Sequence, residues 1–139
     1  MILLDTNVIS ELLRMEPNER VTGWIDRQPR QSIWTTSVSI FEVRFGLETM
    51  PPGKKQAALG AAFERWLEEV VAGRIANFDQ AAARCAAEYA GQCRSVGRPG
   101  ELRDTMIAGI VMANEAKLAT RNGKHFEMIA RAVVNPWEG

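Results

Sequence analysis

Met1-Ile2-Leu3-Leu4-Asp5-Thr6-Asn7 is a short apolar run closed by three polar side chains. A run of this kind, bounded by turn-forming residues, reads as a buried strand. Val8, Ile9, Leu12 and Leu13 then recur at helical spacing, so a short helix follows directly. The alternation continues along the chain. A helix is expected over 18–26, ended by Gln28-Pro29, then a strand over 32–35 and a helix over 38–50 that stops at Pro51-Pro52-Gly53. Residues 54–71 form an amphipathic helix, with Leu59, Phe63, Trp66, Leu67 and Val70 on one stripe. A strand over 74–78 leads to Asp79, well placed to cap an Ala-rich helix over 80–94. Gly97-Arg98-Pro99-Gly100 breaks the chain before a helix over 101–116. A strand over 118–120, a short helix over 124–131 and a strand over 132–134 complete it. Strands alternating with helices, without hairpin signals, specify an α/β fold: one domain over 1–139, its central parallel sheet covered by helices on both faces. Ligands of such sheets bind beyond the carboxyl ends of the strands.

Composition narrows the function. The chain has 139 residues, 46% hydrophobic and 24% charged, which is ordinary globular composition and argues against disorder. Lys plus Arg is 17 and Asp plus Glu is 17, so no whole-surface attraction to nucleic acid or anionic membrane exists, although a local basic patch can. Cys85 and Cys93 fall in one expected helix, about 12 Å apart at ~1.5 Å per residue, too far for a disulfide. The apolar start stops at Asp5, short of a signal-peptide core of about 7–15 residues, and nothing approaches the ~20 apolar residues of a membrane span. The expected location is the cytoplasm.

Three carboxylates stand out. Asp5 follows the first strand, either as a helix cap or as an acid on the ligand edge of the sheet. Glu42 lies inside the third expected helix. Arg44 and Glu48 are four apart there and would mark the wet face, which turns Glu42 inward beside Gly46. Asp104 opens a helix whose residues 105–113 carry no charge, the mark of a helix buried all round. It is a cap or a site residue, and the helix N-terminus favours its charge. Three carboxylates about 5 Å apart at an effective dielectric of ~20 would repel by roughly 10 kcal/mol in total. That approaches the whole stability of a domain, about 5–15 kcal/mol. A divalent cation removes the conflict, and oxygen-only ligands select Mg²⁺, with Mn²⁺ as a substitute. On this reading Asp104→Asn relieves strain and raises the melting temperature of the metal-free protein.

The residues resemble a known family at this point. Ile2-Leu3-Leu4-Asp5-Thr6-Asn7, Ser39-Ile40-Phe41-Glu42-Val43 with Gly46, Leu102-Arg103-Asp104-Thr105-Met106-Ile107-Ala108, and Ala119-Thr120-Arg121-Asn122 with His125-Phe126 match the PIN-domain motifs in their order. The chain resembles the VapC-like toxins of type II toxin–antitoxin pairs, particularly the FitB-like branch. The resemblance implies a Mg²⁺-dependent endoribonuclease that cuts RNA phosphodiesters. It implies that Asp5 and Asp104 hold the metal, that Glu42 holds it or orients the attacking water, and that Thr6 and Asn122 support the site by hydrogen bonding. It further implies a homodimer and an antitoxin that blocks the site and binds operator DNA. Many relatives carry another acid in the last motif, where this chain has Asn122 and His125, so a tightly held second metal is not expected. His125, the only histidine, is either a turn residue beside Phe126 or a phosphate contact when protonated. Arg98, Arg103, Arg121 and Lys124 fall at the expected site edge, where they are either RNA phosphate contacts or scattered surface cations. Two other functions fit parts of the pattern. One is a PIN fold used only as a binding partner, against which the retention of all three acids counts. The other is a phosphatase with a strand-end Asp nucleophile, which typically needs an acid two residues on, where this chain has Asn7.

Overall fold

The computed structural model describes residues 1–139. Its strands are β1 (Ile2–Leu4), β2 (Ile33–Thr36), β3 (Ile75–Ala76), β4 (Lys117–Ala119) and β5 (Val133–Val134). They form one sheet of order β3-β2-β1-β4-β5, and every neighbouring pair is parallel. Parallel neighbours need a crossover, and helices supply it. These are α1 (Thr6–Leu12), α2 (Glu19–Asp26), α3 (Ser37–Glu48), α4 (Lys54–Trp66), α5 (Gln80–Ser95) and α6 (Leu102–Ala113).

Side chains of a strand point alternately to its two faces, and β1 uses both. Leu3 packs with α5, α6 and Phe126, whereas Leu4 packs with Val8, Ile9, Val21, Phe63 and Trp66 on the other face. Leu118 and Ala119 of β4 divide in the same way. The sheet is therefore covered on both faces, as the alternation of elements implies. Polar side chains start the helices: Asp5, Asn18, Thr36 and Asp79 each accept a backbone N–H at the start of α1, α2, α3 and α5. On one face α5 and α6 approach closely. A Cβ built on Gly109 would lie 2.4 Å from the Ala82 carbonyl oxygen and 2.6 Å from the Ala86 Cβ.

Three expectations change. The helix over 54–71 ends its α-helical course at Trp66 and closes in a wider π turn, Leu67–Val71, with left-handed Ala72 after it. Of its apolar stripe, Phe63 and Trp66 are buried in the second core, and Leu67 and Val70 pack half-buried against it. The helix expected over 101–116 stops at Ala113, where Asn114 caps it by donating to the Ile110 carbonyl and Glu115 turns left-handed. The short helix expected over 124–131 is a set of 3-10 turns over Gly123–Ala132, interrupted at Phe126 and Ile129. Burial of Phe126 against the sheet outweighs regular hydrogen bonding there.

Because the strands are parallel, the ends of β1, β2 and β4 share one edge. Asp5, Ser37 and Thr120 follow those ends. The Asp5 N–H donates to the Ala119 carbonyl at 3.0 Å, which ties the first residue beyond β1 to the end of its neighbour. No helix is long and apolar enough to cross a membrane.

Candidate active site

Asp5 has no exposed surface, yet every side of its carboxylate is engaged. Oδ1 accepts from the Thr6 N–H at 2.8 Å as the cap of α1, and Oδ2 accepts from the Thr120 hydroxyl at 2.7 Å. Thr120 Oγ1 in turn accepts from the Asn7 amide and the Asn122 N–H, both at 3.1 Å. A buried carboxylate is tolerable only when its lone pairs are satisfied in this way. Asn122 enters this hydrogen-bond network through its backbone N–H, and the side chains that join it to Asp5 are Asn7 and Thr120. Their signal in the sequence is position alone: Thr120 follows the end of β4, in register with Asp5 after β1.

Glu42 projects from α3 toward the same edge. The Thr6 hydroxyl donates to its Oε1 at 2.6 Å. Arg44, expected to pair with Glu48, instead pairs with Glu64 of α4 and lies 5.4 Å over the Phe63 ring. Arg44 is nonetheless exposed, so the inward turn of Glu42 holds while its supposed marker pair does not form. Asp104 lies in the first turn of α6, 6% exposed, with His125 Nδ1 at 3.4 Å from its Oδ2.

The three acids meet around one side chain that was expected to sit at the site edge. Arg103 Nε donates to Glu42 Oε1 at 2.8 Å, Nη1 donates to Asp104 Oδ1 at 2.9 Å, and Nη2 donates to Asp5 Oδ1. Nη2 also reaches Thr6 Oγ1 at 3.2 Å. Burial would lower the Arg103 pKa, but Glu42, Asp5 and Asp104 together carry it well above its ordinary value. Burial likewise pushes the Glu42 carboxyl up. Hydrogen bonds from Arg103 and Thr6, with the charge of Arg103, outweigh it and hold Glu42 below the usual carboxylate range.

The repulsion that made a cation necessary is thus already met by a guanidinium. Asp104→Asn would remove two repulsions but also the 2.9 Å ion pair to Arg103, so the gain in stability expected for three isolated acids does not follow. With Arg103 between them, no three acidic or imidazole groups are disposed to hold one ion. In kind, the donors fit Mg²⁺ or Mn²⁺: oxygen atoms only, two of the three acids buried, and a positive charge already seated among them. The fit requires Arg103 to withdraw.

The remaining cations do not form one group. Arg98 pairs with Glu127, and with Lys124 and His125 it lines an open cleft of about 360 Å³ floored by Tyr89 and Cys93. Burial, Cys93 and the charges of Asp104 and Glu127 push the Tyr89 phenol up to about 12, so it stays a neutral donor to the His125 carbonyl, at 3.4 Å. Arg121 stacks on Trp137, 4.8 Å from the ring centroid. Cys85 and Cys93 are free thiols, as their spacing in α5 requires.

A strand-end acid on the central strand, a helix acid from each face and a shared cation are what this fold brings together, and comparison with known proteins gives that arrangement a family. The family model described as PIN domain matches residues 2–132. The plasmid stability protein StbB of Pseudomonas syringae pv. tomato is 41% identical over 138 residues, 99% of each chain. The VapC ribonuclease Y4jK of Sinorhizobium fredii is 37% identical over 138 residues, again 99% of each chain. A solved structure of FitAB bound to an IR36 DNA fragment is 36% identical, with a TM-score of 0.90 over 99% of this chain and 96% of that one. The chain belongs to the PIN-domain family, among its VapC- and FitB-like members.

Proposed function

We propose that the protein is a divalent-metal-dependent endoribonuclease, using Mg²⁺ with Mn²⁺ as a substitute, and acts as the toxin of a type II toxin–antitoxin pair in the cytoplasm. The observation that carries this reading is the meeting of Asp5, Glu42 and Asp104 around one positive charge at the carboxyl edge of the sheet. The 37% identity to a VapC ribonuclease supports the reaction class. When bound, the metal neutralises charge on the scissile phosphate and makes water a better nucleophile.

The residues have separate tasks. Asp5 and Asp104 hold the cation; Asp5 is fixed from behind by Thr120, and that kind of outer support orients a ligand. Glu42, kept ionised, aligns water and accepts its proton as the water oxygen bonds to phosphorus; the bond to the leaving ribose oxygen breaks, and that oxygen takes a proton from solvent. Thr6 fixes the Glu42 carboxylate for that step. Lys124, Arg98 and His125 border the open cleft beside Asp104, where they would contact the RNA backbone without reading bases. Arg121 would do the same from the loop after β4. An antitoxin protein would cover the acidic site and bring operator DNA through its own contacts, and the toxin would pair as a homodimer.

The test is cleavage of labelled RNA by the purified protein, freed of any partner. Cleavage should appear with Mg²⁺ or Mn²⁺, stop with EDTA, and fall at least about a hundredfold in Asp104→Asn, since a lost metal ligand removes several kcal/mol of transition-state stabilisation. Undiminished cleavage after complete metal removal overturns the metal reading. No cleavage of any RNA by a folded, metal-loaded protein leaves a binding partner instead of an enzyme.

A further inference from the structure

We propose that Arg103 is a built-in competitor for the divalent cation, and that the affinity of the site for metal is set by the withdrawal of this one side chain. The inference rests on the metal-site reading above and goes beyond it. Three facts carry it. First, the guanidinium contacts all three carboxylates at once, through Nε to Glu42, Nη1 to Asp104 and Nη2 to Asp5. The guanidinium holds one oxygen of each acid and puts its positive charge between them, where it repels a metal ion. Second, the planar fork of arginine suits several carboxylates better than the point charge of lysine would. Arg103 is therefore a strong occupant of the space. Third, Arg103 has a way out. Its side chain is 24% exposed, whereas Asp5 is fully buried and Asp104 nearly so. The exposed, helix-free residues 96–101 precede it, so the long side chain can leave without moving the sheet or α6.

Charge counting agrees. Three carboxylates and one guanidinium leave the occupied cluster negative, so it still attracts a divalent cation. The cation must break four close contacts of Arg103 before it can use the acids. The chain then exists in two forms: a closed form with the guanidinium among the acids, and an open form with metal among them and Arg103 turned to solvent. Because the metal binds only the open form, its apparent affinity is reduced by the fraction of molecules that are open.

The experiment is Mn²⁺ binding to the intact chain, read by the loss of the free Mn²⁺ electron paramagnetic resonance signal. Parent, Arg103→Met, Arg103→Lys and Asp5→Asn are compared, with melting curves of each in EDTA. Arg103→Met keeps a long apolar side chain and removes the competitor. It should bind Mn²⁺ at least tenfold more tightly than the parent while melting lower in EDTA. Arg103→Lys should fall between the two, and Asp5→Asn should bind least. If Arg103→Met does not fold, Arg103→Lys decides alone: tighter binding than the parent supports the proposal, and equal binding overturns it. Equal or weaker binding by a folded Arg103→Met overturns the competitor and leaves the metal site standing. No Mn²⁺ bound by parent or variants overturns both.

Discussion

The ionisation of Glu42 is set by its neighbours. Burial raises its pKa, and the Arg103 and Thr6 hydrogen bonds with the Arg103 charge more than reverse this, so the folded value lies below the ordinary 4.5. A carboxyl with a depressed folded pKa adds stability that is complete above its unfolded pKa and is lost as pH falls through the folded value. The parent protein in EDTA should therefore lose this contribution below about pH 4.5. Glu42→Gln has nothing to lose there. Its melting temperature should lie below that of the parent at pH 7, and the gap should narrow or close by pH 3. Melting curves at the two pH values check it, and a gap that stays constant would show that the Glu42 carboxylate is not held by Arg103. The acids themselves were legible in the sequence because each sits where pattern constrains it: Asp5 after an apolar run, Glu42 on the inner side of a helix, Asp104 before nine uncharged residues. The position of Arg103 was not legible. Adjacent helix residues point about 100° apart, so sequence put Arg103 at the site edge and not among the acids. A long side chain erases that difference by reaching back across the helix end.

Among the elements, α5 and α6 make the closest contact, and Gly109 is the reason they can. A side chain there would meet backbone atoms of α5, the Ala82 carbonyl at 2.4 Å and the Ala86 nitrogen at 2.8 Å, which cannot rotate away. Gly109→Ala would normally help a helix by about 1 kcal/mol. Here overpacking costs about 1–3 kcal/mol and should win. Thermal unfolding should show a melting temperature lower by several degrees, and an unchanged or higher one would mean that the helices separate freely. Because Asp104 opens α6, the same variant should also weaken metal binding, through a shift of the helix and with no contact to the acids. Helix periodicity was easy to read in α5 and α6, where long amphipathic or wholly apolar stretches decide the structure locally. The 3-10 turns of Gly123–Ala132 were harder. Their course follows from seating Phe126 under the sheet and reaching β5, which are long-range demands that no local window contains.

At the scale of the whole molecule, Phe63 and Trp66 of α4 are taken up by the core. An exposed apolar pair lies on α3. Phe41 and Phe45 stack with ring centroids 6.0 Å apart and are 65% and 59% exposed. If the proposed homodimer forms through this face, Phe41→Ser with Phe45→Ser should sediment as a monomer at tens of micromolar, where the parent sediments as a dimer. The double variant should melt no higher than the parent and, unlike the parent, independently of protein concentration, because dimerisation stabilises the folded state by mass action. A monomeric parent at that concentration removes the homodimer from the proposal.

The strand order has a consequence in time. β1 is made first and lies in the middle, but one of its neighbours, β4, comes from residues 117–119. A chain leaving the ribosome carries Asp5 and Glu42 early, whereas Arg103 and Asp104 arrive together only after about three-quarters of the 139 residues exist. Until β4 docks, Asp5 lacks both the Ala119 carbonyl and the Thr120 hydroxyl that hold it. A half-translated chain therefore lacks the assembled acidic cluster on which the proposed RNA cleavage depends. When the last acid does emerge, it comes out one residue behind the arginine that occupies it.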